Sequence, residues 1–155
     1  MCASRPGDRF WTRGGLAVAA CLALTGGACA SRDATPASSA SLSLAALAGI
    51  PWTLVSLGGQ PLPPGARPPT AAFDGARVSG FGGCNRYTGQ AEEKSSGAIT
   101  IGSLAVTKMA CPGPAMEVEA RYLTVLGGAT KYVFAGRRLV LSGSAGEMVF
   151  ERPAP

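Results

Sequence analysis

From Ile50 onward, apolar positions recur in short alternating runs separated by glycine and proline. That period of two belongs to half-buried strands, not to helices. PWTLVSL, residues 51–57, places Trp52, Leu54 and Ser56 on one face of a first strand, and GGQPLPPG, residues 58–65, reads as a long turn. TAAFDG followed by ARVSGF predicts a hairpin centred on Asp74-Gly75, the dipeptide favoured by two-residue turns. In AITI, Ile99 and Ile101 share a face. KYVFAGRRLVLSGSAGEMVFER predicts three strands with Tyr132 and Phe134, Leu139 and Leu141, and Met148 and Phe150 as apolar sets, and it leaves Arg137-Arg138 in an exposed turn.

One segment changes period. PAMEVEARYLTVLGG starts with Pro114 at a first helical position and ends at Gly127, a good C-terminal cap. Met116, Ala120 and Leu123, with Glu119, Tyr122 and Leu126 on the adjoining row, follow the 3.6-residue period. The fold class is therefore α+β and mainly β: a compact antiparallel sheet roll or open barrel with one packed helix. No repeat at a solenoid period stands out.

Ahead of this domain the pattern is different. Arg5, Arg9 and Arg13 precede LAVAACLAL, residues 16–24, an unbroken run of nine apolar residues ended by Gly26 and Gly27. This is the pattern of an export signal over residues 1–30, too short for a membrane span of roughly 20 residues. Three cuts fit. Cys29, preceded by Gly27 and Ala28, matches a lipid-modified cysteine; Ala28-Cys29-Ala30 is also an A-x-A site with cleavage before Ser31; Cys21 follows Val18-Ala19-Ala20 but leaves a short apolar region. The small, polar residues 31–44 read as a flexible linker, and residues 45–153 as the domain. Lipidation would make the chain a cell-envelope lipoprotein anchored to a membrane, periplasm-facing on the outer membrane. The A-x-A cut would release it as a soluble periplasmic or secreted protein.

Composition removes much familiar chemistry. Histidine is absent, so Ser-His-Asp and Cys-His pairs and histidine metal sites are unavailable. The formal charge is +5, of which the three N-terminal arginines against Asp8 supply +2. The remaining basic residues are scattered, unlike the concentrated face that nucleic-acid binding needs. Glu92, Glu93, Glu117, Glu119, Glu147 and Glu151 fall mostly in charged or turn surroundings and read as solvated surface, with no marked glycosidase-type pair.

SGFGGCNRYTGQ, residues 79–90, sets a cysteine among glycines. Its G-x-G lacks the third glycine of a dinucleotide fingerprint, because Asn85 stands there, and no helix follows; no Lys-Ser or Lys-Thr completes a P-loop. The glycines suit a strand that bends or meets other backbone closely. Cys84 and Cys111 are the two cysteines after the export segment, which is too few for a metal site without histidine. In an exported chain they most simply form a disulfide. A redox pair is the alternative, although the C-x-x-C spacing is missing.

Trp52-Thr53-Leu54, AAFDGARVSGFGGCNRYTGQ, AVTKMAC ending at Cys111, and Glu119 with Tyr122, Leu123 and Leu126 resemble, in order and spacing, the META domain of the HslJ-like heat-shock lipoproteins. The resemblance covers about residues 50–152. It implies a compact β-rich fold with one helix, an envelope location, often a lipid anchor, and an association with stress and drug tolerance. It also implies that Cys84 and Cys111 are the family's paired cysteines and that Asn85 and Arg86 are its asparagine and arginine. It supplies no catalytic residue, and no cofactor or metal is expected.

Two functional classes follow from these readings. The first is a monomeric, non-catalytic envelope module that binds a protein or an apolar ligand through a loop presenting Asn85, Arg86 and Tyr87. The second is a thiol-redox or hydrolytic envelope enzyme. A passive spacer domain is a third reading.

Overall fold

The computed structural model describes residues 43–154. The apolar N-terminal run, Cys21, Cys29 and the alternative cleavage positions lie outside the described residues. The elements are β1 (Trp52–Leu57), β2 (Gln60–Pro61), β3 (Thr70–Asp74), β4 (Arg77–Phe81), β5 (Arg86–Ser95), β6 (Ala98–Ile101), β7 (Ala105–Val106), α1 (Ala115–Gly127), β8 (Ala129–Ala135), β9 (Arg138–Gly143) and β10 (Gly146–Glu151), preceded by a 3₁₀ turn over Leu44–Leu47.

The strands pair antiparallel in the order β10-β9-β8-β6-β5-β4-β3-β1, and β10 pairs back onto β1. The result is a closed eight-stranded barrel, in which closure removes the free edges an open sheet would leave. β2 adds to β1 and β7 to β5 as short extensions. The seam between β6 and β8 is thin, a single pair of Ala98 with Lys131. The barrel interior is filled by alternating side chains, with Trp52, Phe73, Tyr132, Leu139, Leu141, Met148 and Phe150 fully buried. Trp52 meets Phe134 edge to face at 5.5 Å. A filled barrel of this size leaves side chains, not ligand, in its centre, which speaks against an apolar ligand held inside.

Several expectations shift by a residue or a face. In β1 a bulge between Leu54 and Ser56 changes the register, so Leu57 rather than Ser56 joins Trp52 and Leu54 inside. The β3–β4 hairpin pairs Asp74 with Arg77, which moves the turn one residue on, to Gly75-Ala76, with Gly75 at φ 55°. The long turn after β1 contains β2. The longest strand, β5, was hidden from the pattern because Gly89 and the Glu92-Glu93-Lys94 run blur its alternation, although Tyr87 and Ala91 point inward.

Helix α1 has Pro114 as its N-cap and packs against β6, β9 and β10. Its buried face is Val118, Glu119, Tyr122, Val125 and Leu126, while Met116 is 44% exposed. The face is thus rotated from the predicted stripe, because the adjoining row, not Met116 and Ala120, faces the barrel. Tyr122 meets Phe150 at 6.2 Å, so the helix shares the barrel's core.

At the start of the domain, Leu44 and Leu47 of the 3₁₀ turn are buried in that core. The turn is held by Glu93: its carboxylate accepts from the Leu44 N–H at 3.1 Å, the Ser43 hydroxyl at 3.4 Å and the Tyr132 hydroxyl at 2.5 Å. These bonds, the tyrosine's first, hold the Glu93 carboxyl below its ordinary range.

Candidate functional site

The glycine–cysteine stretch is the bend between β4 and β5. Gly82 N–H donates to the Asn85 carbonyl at 2.7 Å, closing a turn whose residues 82–85 are all buried. The turn lies against the first turns of α1. A Cβ on Gly82 would sit 3.0 Å from Glu119 Oε2, and one on Gly83 would sit 3.2 Å from the Ala115 carbonyl. Gly83 also has φ 126°, which side-chain-bearing residues rarely adopt. The glycines therefore let backbone approach helix.

A disulfide and a buried carboxylate fix this contact. Cys84 and Cys111 form a disulfide with Cα atoms 5.8 Å apart. Beside it, the Glu119 carboxylate accepts from Cys84 N–H at 3.1 Å, from Asn85 N–H, and from Asn85 Nδ2 at 2.8 Å. Glu119 is 6% exposed, which corrects its reading as solvated surface. The physical reason is local: three N–H donors replace its hydration and make burial tolerable. A signal was present in the sequence, since Glu119 shares a helical row with Tyr122 and Leu126.

Asn85 is 2% exposed and uses all of its amide. Nδ2 donates to Glu119 and to the Met109 carbonyl at 3.1 Å, while Oδ1 accepts from Met109 N–H at 2.7 Å and Thr107 Oγ1 at 2.9 Å. Tyr87 also turns inward. Its hydroxyl meets the Tyr122 hydroxyl at 2.7 Å, and both lie against the Thr70 carbonyl, at 3.0 Å and 3.2 Å. Burial raises the pKa of both phenols. Of the three residues expected to face a partner, only Arg86 has an exposed side chain; Asn85 and Tyr87 are spent on holding the fold, because a buried amide or phenol must find its partners inside.

The surface next to the bend is different in kind. In register across β3, β4 and β5 lie three outward rows: Thr70–Phe81–Arg86, Ala72–Ser79–Thr88 and Asp74–Arg77–Gln90. Two shallow depressions open on this face. One, of 770 Å³, is lined by Asp74, Arg77, Thr88, Gln90 and Ser103; the other, of 400 Å³, by Pro51, Thr70, Ala72, Ser79 and Arg86. Arg67 stacks on the Phe81 ring, 4.5 Å from its centroid. Sequence reasoning did not single out this face, since its residues are ordinary one by one and only strand register collects them.

Comparison with known proteins places the domain. A solved NMR structure of a protein from Burkholderia xenovorans is similar to this chain, with 26% identity and a TM-score of 0.59 over 72% of this chain and 87% of that one. A second NMR structure, 24% identical, matches with a TM-score of 0.59 over 70% of this chain and 93% of that one, a likeness of fold. No curated protein matches the chain in sequence. The META domain family matches residues 45–154, nearly all of the described barrel, its helix and its stapled bend, and the chain belongs to that family.

Proposed function

We propose that this META-domain protein is a non-catalytic binding module of the bacterial cell envelope, exported and held by a lipid on Cys29, with the outer face of β3–β5 as its contact surface. The observation that supports it is how the reactive groups are used. The two cysteines after the export segment are joined to each other, and the buried carboxylate is saturated by backbone and amide N–H groups. Neither is free to act as nucleophile or base. In contrast, the polar side chains of the outer face make no ion pair with the rest of the protein among the described residues. Proteins of this family are associated with stress and drug tolerance, and a binding role at the envelope is compatible with that.

Capture from native envelopes, with mass spectrometry of co-purifying molecules, tests the module reading. Cys84→Ser should weaken binding only in proportion to lost stability. Loss of a catalytic turnover in a still-folded Cys84→Ser protein would instead establish the thiol enzyme. Mass spectrometry of the mature N-terminus should find an acylated Cys29, and a free Ser31 would overturn the anchor.

A further inference from the structure

We propose that the outer face of β3–β5, across its two shallow depressions, binds an acidic oligosaccharide, a chain of sugar hydroxyls bearing carboxylate or phosphate groups. This rests on the binding-module reading and names its ligand class. The row Asp74–Arg77–Gln90 presents three planar groups side by side, each with two hydrogen-bonding atoms in one plane. Such groups match pairs of neighbouring hydroxyls on a sugar ring. The next row, Ala72–Ser79–Thr88, is short, so a ring can come down to the sheet, and Ser79 and Thr88 add hydroxyls that both donate and accept.

The charge is laid out to match. Arg77 stands at one end of the face, in the first depression, and Arg86, in the second, with Arg67 on Phe81 at the other. Four residues along a strand separate these ends, roughly 13 Å at about 3.3 Å per residue, so a ligand spanning both must be longer than one ring. The three rows and the flanking Arg67 carry three guanidinium groups against one carboxylate, that of Asp74, and neither Arg77 nor Arg86 forms an ion pair within the described residues. Guanidinium forks pair best with carboxylate and phosphate.

A peptide fits this face less well. β4 is paired along its length by β3 and β5, β5 is paired on its other side by β6 and β7, and the far side of β3 is occupied by β1 at Thr70 and Ala71 and by Ala48 at Phe73, which leaves no long edge for main-chain addition. The one aromatic ring of the face is already covered by Arg67. The exposed large apolar side chains, Val55, Met109, Met116 and Val133, stand on other segments, so the aliphatic anchors of a protein interface are missing here.

The test is calorimetric titration of the purified protein with four probes: trigalacturonate, a phosphorylated mannotriose, neutral galactotriose and hexaglutamate. The first two arms distinguish the source of charge. One of the acidic sugars should bind, at least tenfold more tightly than galactotriose and more weakly as salt is raised. Arg77→Gln and Arg86→Gln, both exposed, should each weaken it about tenfold, the loss of one charge-assisted fork, with unchanged melting temperature. Equal binding of the acidic and neutral sugars, or variants that bind like the parent, overturns the proposal. So does the absence of binding to either acidic sugar. Binding of hexaglutamate alone overturns the sugar assignment while leaving a binding module in place, and envelope capture decides that broader reading separately.

Discussion

Asn85 and Glu119 are locked together by two hydrogen bonds, Asn85 N–H and Nδ2 each donating to one oxygen of the carboxylate. One residue belongs to the bend after β4, the other to the second turn of α1, and 34 positions separate them. The pair thus ties the helix to the barrel from inside, alongside the disulfide.

Removing the carboxylate should therefore be costly. Glu119→Ala leaves the buried Cys84 N–H, Asn85 N–H and one of the two Asn85 Nδ2 hydrogens without their acceptor, an expected loss of about 3 kcal/mol. Glu119→Gln keeps one acceptor oxygen and should lose less. Asn85→Asp sets a second carboxylate against the first and should resemble the alanine variant. Urea unfolding of the three proteins measures this; near-parent stability for Glu119→Ala would show the carboxylate to be dispensable.

The disulfide makes a separate contribution. Its cysteines are 27 positions apart, and a loop of that size is worth about 3.6 kcal/mol in the chain-entropy description. Reduction, or Cys84→Ser with Cys111→Ser, should lower the melting temperature by more than 10 °C at about 4–8 °C per kcal/mol for a domain of this size. The native far-UV spectrum should persist at 20 °C, because the Asn85–Glu119 pair still holds the helix. A reduced protein that melts like the parent would remove the staple from the account.

How far the sequence carried is clearest at particular residues. Ile99 with Ile101, Leu139 with Leu141 and Met148 with Phe150 announced their strands, because period-two burial is a local property. The closure of β10 onto β1 was not visible, since pairing of Thr53 with Glu151 joins distant segments and leaves no local mark. The same limit hid the candidate binding face: Asp74, Arg77 and Gln90 acquire meaning only once register puts them in one row. Glu119 misled for another reason. A charged residue on a helix reads as solvent-facing until its backbone donors, far away in sequence, are known.

At the other side of the domain, the Glu93 latch gives an acid-dependent prediction. Its carboxyl is held below the ordinary carboxylate range, first by the Tyr132 hydroxyl and then by the Leu44 N–H. A lowered folded-state pKa means that the bond stabilises above the unfolded value, about 4.3, and that this is lost as pH falls through the folded value. Protection of the Leu44 amide from exchange, relative to a free amide at the same pH, should be lost ahead of that of the barrel strands as pH falls through the lowered Glu93 value. Tyr132→Phe should move that onset to higher pH, and an unchanged onset would detach Glu93 from the turn.

The alkaline limb tests the core itself. The chain has three tyrosines, and burial raises the pKa of all three, Tyr132 to about 12 with Glu93 as a further cause, and Tyr87 and Tyr122 well above the ordinary phenol value. A raised folded-state value means that stability is full below the unfolded value of about 10 and is lost as pH rises towards the folded one. Native protein should show no phenolate absorbance at 295 nm through pH 10, where free tyrosine is half ionised. Above that, ionisation and loss of the near-UV circular dichroism should run together, because in Tyr87 and Tyr122 a phenolate has no donor but the other hydroxyl and would face the Thr70 carbonyl. Tyr87→Phe should lose about 1 kcal/mol for the missing hydroxyl contact and push the alkaline transition upward, since one ionisable phenol fewer favours the unfolded chain. Reversible titration of a tyrosine near pH 10, with the near-UV spectrum intact, would place at least one phenol in water and break this description of the core.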